Sequence, residues 1–348
     1  MTIPETFKSY RRTASHTLVQ SSETTPKNLG DNDVLIKIHS ISLNYRDVVI
    51  LQGGFPIPVL DKGIPASDCA AEVVAVGSAV QKFKVGDRVS PNFYVNHFTG
   101  EESEMIKALG GDVEGVLSEY AVFTENLLVP LPDYLTWNEG ATIACAGVTA
   151  WSALGDMKKL SPERSYVLLE GTGGISMFAL LLLIDAGIKT IITSSSDAKI
   201  AQIEKLSHLV TGVNYTTHPD ISAEVKRITN GRGVDLVVNN VGPKSIPSNI
   251  DYIRRGGEIA AVGFLDGVTA EWNPGEVMLS LLFRRGTIRG ILVGSKMDFE
   301  ALCAHLAEKK IGLQPLLDRV FTFDEAKDAF DHMIAKRHAG KIIIKVAE

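Results

Sequence analysis

The alternation of apolar and polar residues changes texture along this chain at Asn138. Before that point it is strand-like. Residues 7–10 and 17–19 read as the arms of a hairpin. Residues 34–40 alternate as Val-Leu-Ile-Lys-Ile-His-Ser, and 71–76 are a β-branched run ending at Gly77. Phe83-Lys84-Val85-Gly86-Asp87-Arg88-Val89 is a turn feeding another strand. No long amphipathic helix is expected before Trp137, and the polar stretch 96–115 reads as a loop insertion. From Asn138 the texture is helical, and from Tyr166 strands and helices alternate. Strands are expected at 166–170, 190–193, 234–239, 258–263 and 287–293, with helices near 176–185, 197–206 and 221–229. That spacing implies a doubly wound parallel sheet. A last helix at 323–334 and a strand at 341–346 follow it and are expected to return to the first domain.

The fold class is therefore α/β: a β-rich domain over 1–144 and 296–348, and a dinucleotide-type domain over 145–295. A length of 348 residues and 37.6 kDa suits two cores rather than one. With 45% apolar and 22% charged residues, the chain is globular rather than disordered. The longest apolar run, from Met177 to Ile184, falls short of the roughly 20 residues of a membrane helix. A net charge of −6 without a basic block argues against nucleic acid as a partner. Cys69, Cys145 and Cys303 are odd in number and far apart, with no CxxC. They can build neither a disulfide framework nor a thiolate zinc lobe, and they fit a cytoplasmic setting.

The strand at 166–170 runs directly into Gly171-Thr172-Gly173-Gly174-Ile175-Ser176 and then an apolar helix. In that context Gly171 allows the tight turn, and Gly173 and Gly174 let backbone N–H groups approach a pyrophosphate. The helix N-terminus adds its partial positive charge. Ser176 replaces the third glycine of the usual fingerprint. An NAD reader carries an acidic residue about 20 positions past the glycines. Here the stretch is Thr193-Ser194-Ser195-Ser196-Asp197-Ala198-Lys199, and Ser194 takes the acidic position. Ser196 reads as an N-cap, which puts Lys199 in the first helical turn. A cation there opposes the helix dipole, and a bound 2′-phosphate would reverse that penalty. Ser194, Ser195 and Lys199 thus point to NADP(H).

Six segments carry a resemblance. They are Ser42-Leu43-Asn44-Tyr45-Arg46-Asp47, Ala66-Ser67-Asp68, Val85-Gly86-Asp87-Arg88-Val89, Cys145-Ala146-Gly147-Val148-Thr149-Ala150-Trp151, the glycine loop, and Arg289-Gly290-Ile291-Leu292-Val293-Gly294. With them the chain resembles zinc-independent members of the medium-chain dehydrogenase/reductase superfamily, in the quinone oxidoreductase and enoyl reductase branch. The resemblance implies a GroES-like substrate domain, a Rossmann domain, a small-molecule substrate and a homodimer, with no metal. The three places where zinc-dependent relatives hold their catalytic metal look like Asn44, Ser67 and Cys145, and a zinc site needs three protein ligands. Cys145 is expected to be a buried thiol, and His39, His97 and His208 surface or structural residues.

By the same resemblance Asn44, Tyr45, Asp47 and Thr149, all placed in the first domain, line the substrate cleft. Asn240, Val241, Gly263, Phe264 and Val293 border the nicotinamide. Related reductases carry a proton-donating Tyr in a Gly-x-Tyr-Pro turn, but this chain has Gly53-Gly54-Phe55-Pro56. That weakens a thioester substrate and leaves Tyr45 or water as proton source. The implied activity is NADPH-dependent reduction of enones or quinones. The alternatives are a zinc-independent carbonyl/alcohol oxidoreductase and a cofactor-binding structural or sensing protein.

Overall fold

The computed structural model describes residues 3–347, which form two compact units divided at Val148/Thr149 and Val293/Gly294. In the first unit β1 (Thr6–Arg12) and β2 (Leu18–Thr24) pair as an antiparallel hairpin that contains the first predicted arm and overlaps the second, which began one residue early at Thr17. Next come β3 (Asp33–Ser42), the helix α1 (Tyr45–Leu51), β4 (Asp68–Val76), β5 (Arg88–Pro91), β6 (Tyr120–Thr124), β7 (Leu128–Pro130) and the short helix α2 (Trp137–Gly140). A π-helical turn, Ile143–Gly147, leads into α3 (Val148–Leu154).

The second unit holds β8 (Tyr166–Leu169), α4 (Gly174–Asp185), β9 (Lys189–Ser194), α5 (Asp197–Ile203), β10 (Val210–Asn214), α6 (Ile221–Ile228), β11 (Val234–Asn239), α7 (Ile246–Tyr252), β12 (Ile253–Ala261), α8 (Pro274–Arg284) and β13 (Thr287–Gly290). Its six strands are all parallel, in the order β10-β9-β8-β11-β12-β13. This is the dinucleotide-binding arrangement, whose order reverses beside β8. Ligands sit outside the carboxyl ends of the strands at that switch. Gly171 and Asn240 follow β8 and β11 there. Met177 to Leu183 of α4 are all buried, as expected of a helix apolar on every side.

The chain then rejoins the first unit through α9 (Lys296–Lys309), β14 (Leu317–Thr322), α10 (Ala326–Ile334) and β15 (Lys341–Lys345). The resulting sheet runs β14-β15-β3-β4-β5-β7, with β6 also on β3. Its core gathers Val34, Ile36, Ile38 and Ile41 of β3 with Val73, Val89, Phe330, Ile342 and Ile344. Each such buried side chain contributes about 1.5–3 kcal/mol relative to exposure.

Several expectations need correction. The last strand of the second unit ends at Gly290 instead of reaching 293, and Val293 itself turns the chain with φ 54. A β-branched residue in that left-handed region is strained. The fifth strand is Ile253–Ala261 and stops before Gly263, where a side chain would meet the Asn240 carbonyl oxygen at 2.8 Å. Thr149 belongs to the second unit, not the first. The pattern also missed α1, β6, β7, β10, α7, α8, α9 and β14. The insertion at 96–115 is irregular, as expected. Gly110 and Gly115 bring it onto the backbone of Ala66, which a Cβ at either glycine would strike at 2.6 and 2.1 Å.

Candidate functional site

In the second unit the glycine loop is built as its sequence requires. Gly171 has φ +75 and donates its N–H to Thr193 Oγ1 at 3.1 Å, tying the loop to β9. A side chain at Gly171 or Gly173 would point into open space, so the backbone alone forms this wall. Gly173 is the N-cap of α4 and supplies no capping side chain, which leaves first-turn N–H groups for an anion. Thr172 is buried, while Gly174 and Ile175 open the helix.

Behind the loop lies a buried amide network. Asn240 Nδ2 donates to Ser176 Oγ at 2.9 Å, and Ser176 Oγ donates to the Glu170 carbonyl at 2.9 Å. The Glu170 carboxyl accepts from Asn249 Nδ2 at 2.6 Å and from the Val241 N–H at 3.3 Å. Burial nonetheless raises its pKa. Asn240 Oδ1 is buried with no hydrogen-bond partner among the described residues. An orphaned acceptor at the switch point, beside a bare backbone cradle, fits a nicotinamide dinucleotide.

At the end of β9 the Ser194 hydroxyl is buried and accepts from the Ser196 N–H at 3.2 Å. Ser195 is exposed. Ser196 caps α5 by accepting from the Lys199 N–H, so Lys199 sits in the first helical turn as predicted. Asp197 accepts from Asn214 Nδ2 at 2.7 Å. Tyr215, which the sequence reading did not single out, is exposed beside Ser194, its N–H donating to the Ser194 carbonyl at 3.0 Å. Gly263 packs on Asn240, and Phe264 is exposed.

The motif residues of the first unit converge on a buried charge network. Asn44 precedes α1, and its N–H donates to Asp47 Oδ2 at 2.8 Å. Asp47 is fully buried, and desolvation pushes its pKa up to about 6 against the lowering effect of Arg46. Asn44 Nδ2 faces Ser67 Oγ at 3.4 Å, and Ser67 donates to Asp68 Oδ1 at 2.7 Å. The Cys145 N–H donates to Asp68 Oδ2 at 3.1 Å. The buried ammonium of Lys341 donates to Asn44 Oδ1 and to the Leu43 carbonyl. Burial holds the Cys145 thiol well above its ordinary pKa.

Tyr45 lies apart from that network, half-buried, with Lys336 Nζ 5.7 Å from its ring centroid. The Arg46 guanidinium lies 4.9 Å from the Phe93 ring and 5.6 Å from Phe55, and donates to the Leu109 carbonyl at 2.9 Å. Lys341, Asp68 and Arg46 were missed as site residues. Only Asp68 and Arg46 fell inside a recognised motif. His39 is buried and stacks on Trp137 at 4.2 Å, which makes it structural.

Comparison with known proteins agrees with this geometry. Residues 30–133 match the family described as alcohol dehydrogenase GroES-like domain, and 174–308 the family described as zinc-binding dehydrogenase. A zinc-type alcohol dehydrogenase-like protein of Schizosaccharomyces pombe is 36% identical over 324 residues, spanning 92% of this chain and 93% of the relative. A quinone oxidoreductase of Pseudomonas aeruginosa is 26% identical over 327 residues, spanning 92% and 93%. Among solved structures, one from Sinorhizobium meliloti 1021, named as an alcohol dehydrogenase, matches with a TM-score of 0.88 and 28% identity, over 99% and 100% of the two chains. The 2-octenoyl-CoA carboxylase reductase CinF, solved with NADP and 2-octenoyl-CoA, shares the fold at 20% identity, with a TM-score of 0.84 over 99% and 88%. With both halves matched and a full-length relative at 36%, the chain belongs to the medium-chain dehydrogenase/reductase superfamily and is an oxidoreductase of that type using a nicotinamide cofactor.

Proposed function

We propose that this protein is an NADPH-dependent reductase of activated C=C bonds in enones, or of quinones, working without zinc. The observation that carries the reading is the set of groups at Asn44, Ser67 and Cys145. Asn44 Oδ1 accepts from an ammonium, the Ser67 proton is committed to Asp68, and the Cys145 thiol is disfavoured as thiolate by burial. These donors do not suit zinc, which takes thiolate, imidazole or carboxylate.

When bound, the reduced nicotinamide supplies the hydride. Asn44 offers a neutral N–H to the substrate oxygen. That can stabilise an enolate, where charge is spread over the substrate, better than it can polarise an isolated ketone. Asn240 Oδ1 accepts from the cofactor, and the loop 171–175 with the α4 N-terminus holds the pyrophosphate. Phe55 has no proton to give and Tyr45 lies apart from the Asn44 network against Lys336, so water supplies the proton at Cα. Ser194 in place of an acid, with Ser195 and Lys199 beside it, supports the 2′-phosphate. Gly263, Phe264 and Val293 border the nicotinamide, and Thr149 contributes a hydroxyl from the start of the second unit.

We further propose a cytoplasmic homodimer. The three cysteines are buried and free, which fits a reducing compartment. Among the described residues no helix is long and apolar enough to cross a membrane. Strand β13 is a sheet edge, and Leu279, Leu282 and Phe283 of α8 are exposed at 56%, 64% and 68%. Apolar exposure of that kind marks an interface. The functional test is turnover with deuteride-labelled NADPH and a panel of enones, quinones and aldehydes, with zinc measured in the purified protein. Deuterium at Cβ of a saturated ketone, unaffected by chelators, is the expected result. An allylic alcohol labelled at the carbinol carbon, or one zinc per chain, overturns the reading.

A further inference from the structure

We infer that Lys341 is a positioning residue that fixes the polarity of the Asn44 side-chain amide, so that Asn44 presents N–H, not C=O, to the substrate oxygen. The inference rests on the proposed role of Asn44 and adds what determines its orientation. Lys341 opens β15, is 2% exposed, and lies 2.7 Å from the Leu43 carbonyl, 2.5 Å from Asn44 Oδ1 and 3.8 Å from Asp68 Oδ2.

Two groups in this cluster have only one polarity. An ammonium donates and never accepts, and an ionised carboxylate does the reverse. Asp68 accepts hydrogen bonds from the Ser67 hydroxyl at 2.7 Å and the Cys145 N–H at 3.1 Å, so the Ser67 oxygen is left able only to accept from Asn44. Asn44 is thus specified from both sides, its Oδ1 by Lys341 and its Nδ2 by Ser67 at 3.4 Å. A flipped amide would set N–H groups against the ammonium and a carbonyl oxygen against an oxygen without a free proton. The second Nδ2 hydrogen has no partner among the described residues, and Asn44 is only half-buried. A cation on Oδ1 also polarises the amide and strengthens that N–H as a donor. Lys341 therefore acts on the substrate through Asn44.

The test compares Lys341→Met, Asn44→Ala, the double variant and Asn44→Asp. Lys341→Met and Asn44→Ala should each lower kcat by about 10²-fold, as loss of one oxyanion donor does, with KM for NADPH nearly unchanged. The double variant should be no worse than the poorer single one. Asn44→Asp keeps the contact with Lys341 but loses the donor, so it should fold normally and lose kcat to a similar degree. Multiplying losses in the double variant, or an active Asn44→Asp, overturns the inference.

A second readout needs no turnover and separates this inference from the proposed reaction. In protein with ¹⁵N-labelled asparagine, the Asn44 NH₂ resonances are identified by their loss in Asn44→Ala. In the wild type they should be a sharp, resolved pair, and in Lys341→Met they should shift and broaden as the amide gains freedom to rotate. An unchanged pair in folded Lys341→Met overturns the inference even if enone reduction is found. A changed pair supports it even if none is.

Discussion

The Asn240 side chain donates to the Ser176 hydroxyl at 2.9 Å, joining the end of β11 to the first turn of α4. Ser176 in turn donates to the Glu170 carbonyl at the end of β8. The residue that departs from the glycine fingerprint is thus a hydrogen-bonding bridge between the two strands flanking the switch point, and it holds Asn240, whose buried Oδ1 has no hydrogen-bond partner among the described residues.

Restoring the fingerprint should therefore do harm. Ser176→Gly removes two buried hydrogen bonds, each contributing about 0.5–1.5 kcal/mol, and introduces glycine into a helix. The melting temperature should fall, and cofactor affinity should weaken several-fold as Asn240 loses the shorter of its two anchoring bonds and keeps only the 3.3 Å bond to the Glu170 carbonyl. Calorimetric titration with NADPH checks this. Unchanged affinity would show that Ser176 does not position Asn240 for the cofactor.

Cofactor choice should depend on Lys199. Charge-assisted contacts to phosphate contribute about 1.5–3 kcal/mol, so Lys199→Ala should weaken NADPH binding by about 10- to 10²-fold while leaving NADH nearly unaffected. Equal affinity of the wild type for the two cofactors contradicts the proposed preference.

Asp47 should make stability depend on pH. Its folded pKa of about 6 lies above the ordinary 3.8, so the folded state binds a proton more tightly than the unfolded chain. The stability this contributes is present below about pH 4 and is lost as pH rises through 6, roughly 3 kcal/mol in all. Asp47→Asn keeps an acceptor for the Asn44 N–H and removes the titration. Its melting temperature relative to wild type should therefore rise between pH 4.5 and 7.5. A flat difference would mean that the wild-type carboxyl is not raised.

These residues differ in how readable they were. The glycine loop was legible because one strand, one turn and one helix start determine it, and the Ser196 cap was legible for the same local reason. Helix α1 was not, since Tyr45-Arg46-Asp47-Val48-Val49-Ile50-Leu51 is as β-branched as a strand. Its start depends on the Asn44 N–H reaching Asp47 three residues on. Lys341 was invisible because its partner Asn44 lies 297 positions away, and only the pairing of β15 with β3 brings them together. The edge at β13 could be expected from strand order, but the apolar face of α8 could not, because that helix was not anticipated.

That face should govern assembly. Light scattering on the wild type should give about twice 37.6 kDa, and Phe283→Glu should shift it toward the monomer, because a buried unpaired charge costs several kcal/mol at an interface. A monomeric wild type would leave the α8 face for some other partner.

Tyr45 should prove dispensable as an acid. Its ring lies under Lys336 Nζ at 5.7 Å, and Phe keeps both the ring and that cation contact. If water protonates Cα, Tyr45→Phe loses only a hydroxyl beside the site, and kcat should fall by less than about 10-fold. Removing a true general acid ordinarily costs about 10²–10⁴-fold. Reaction in D₂O with unlabelled NADPH should place deuterium at Cα in both proteins at similar rates. A loss of 10²-fold or more in Tyr45→Phe, with its melting temperature and NADPH affinity intact, would instead make the Tyr45 hydroxyl the proton donor.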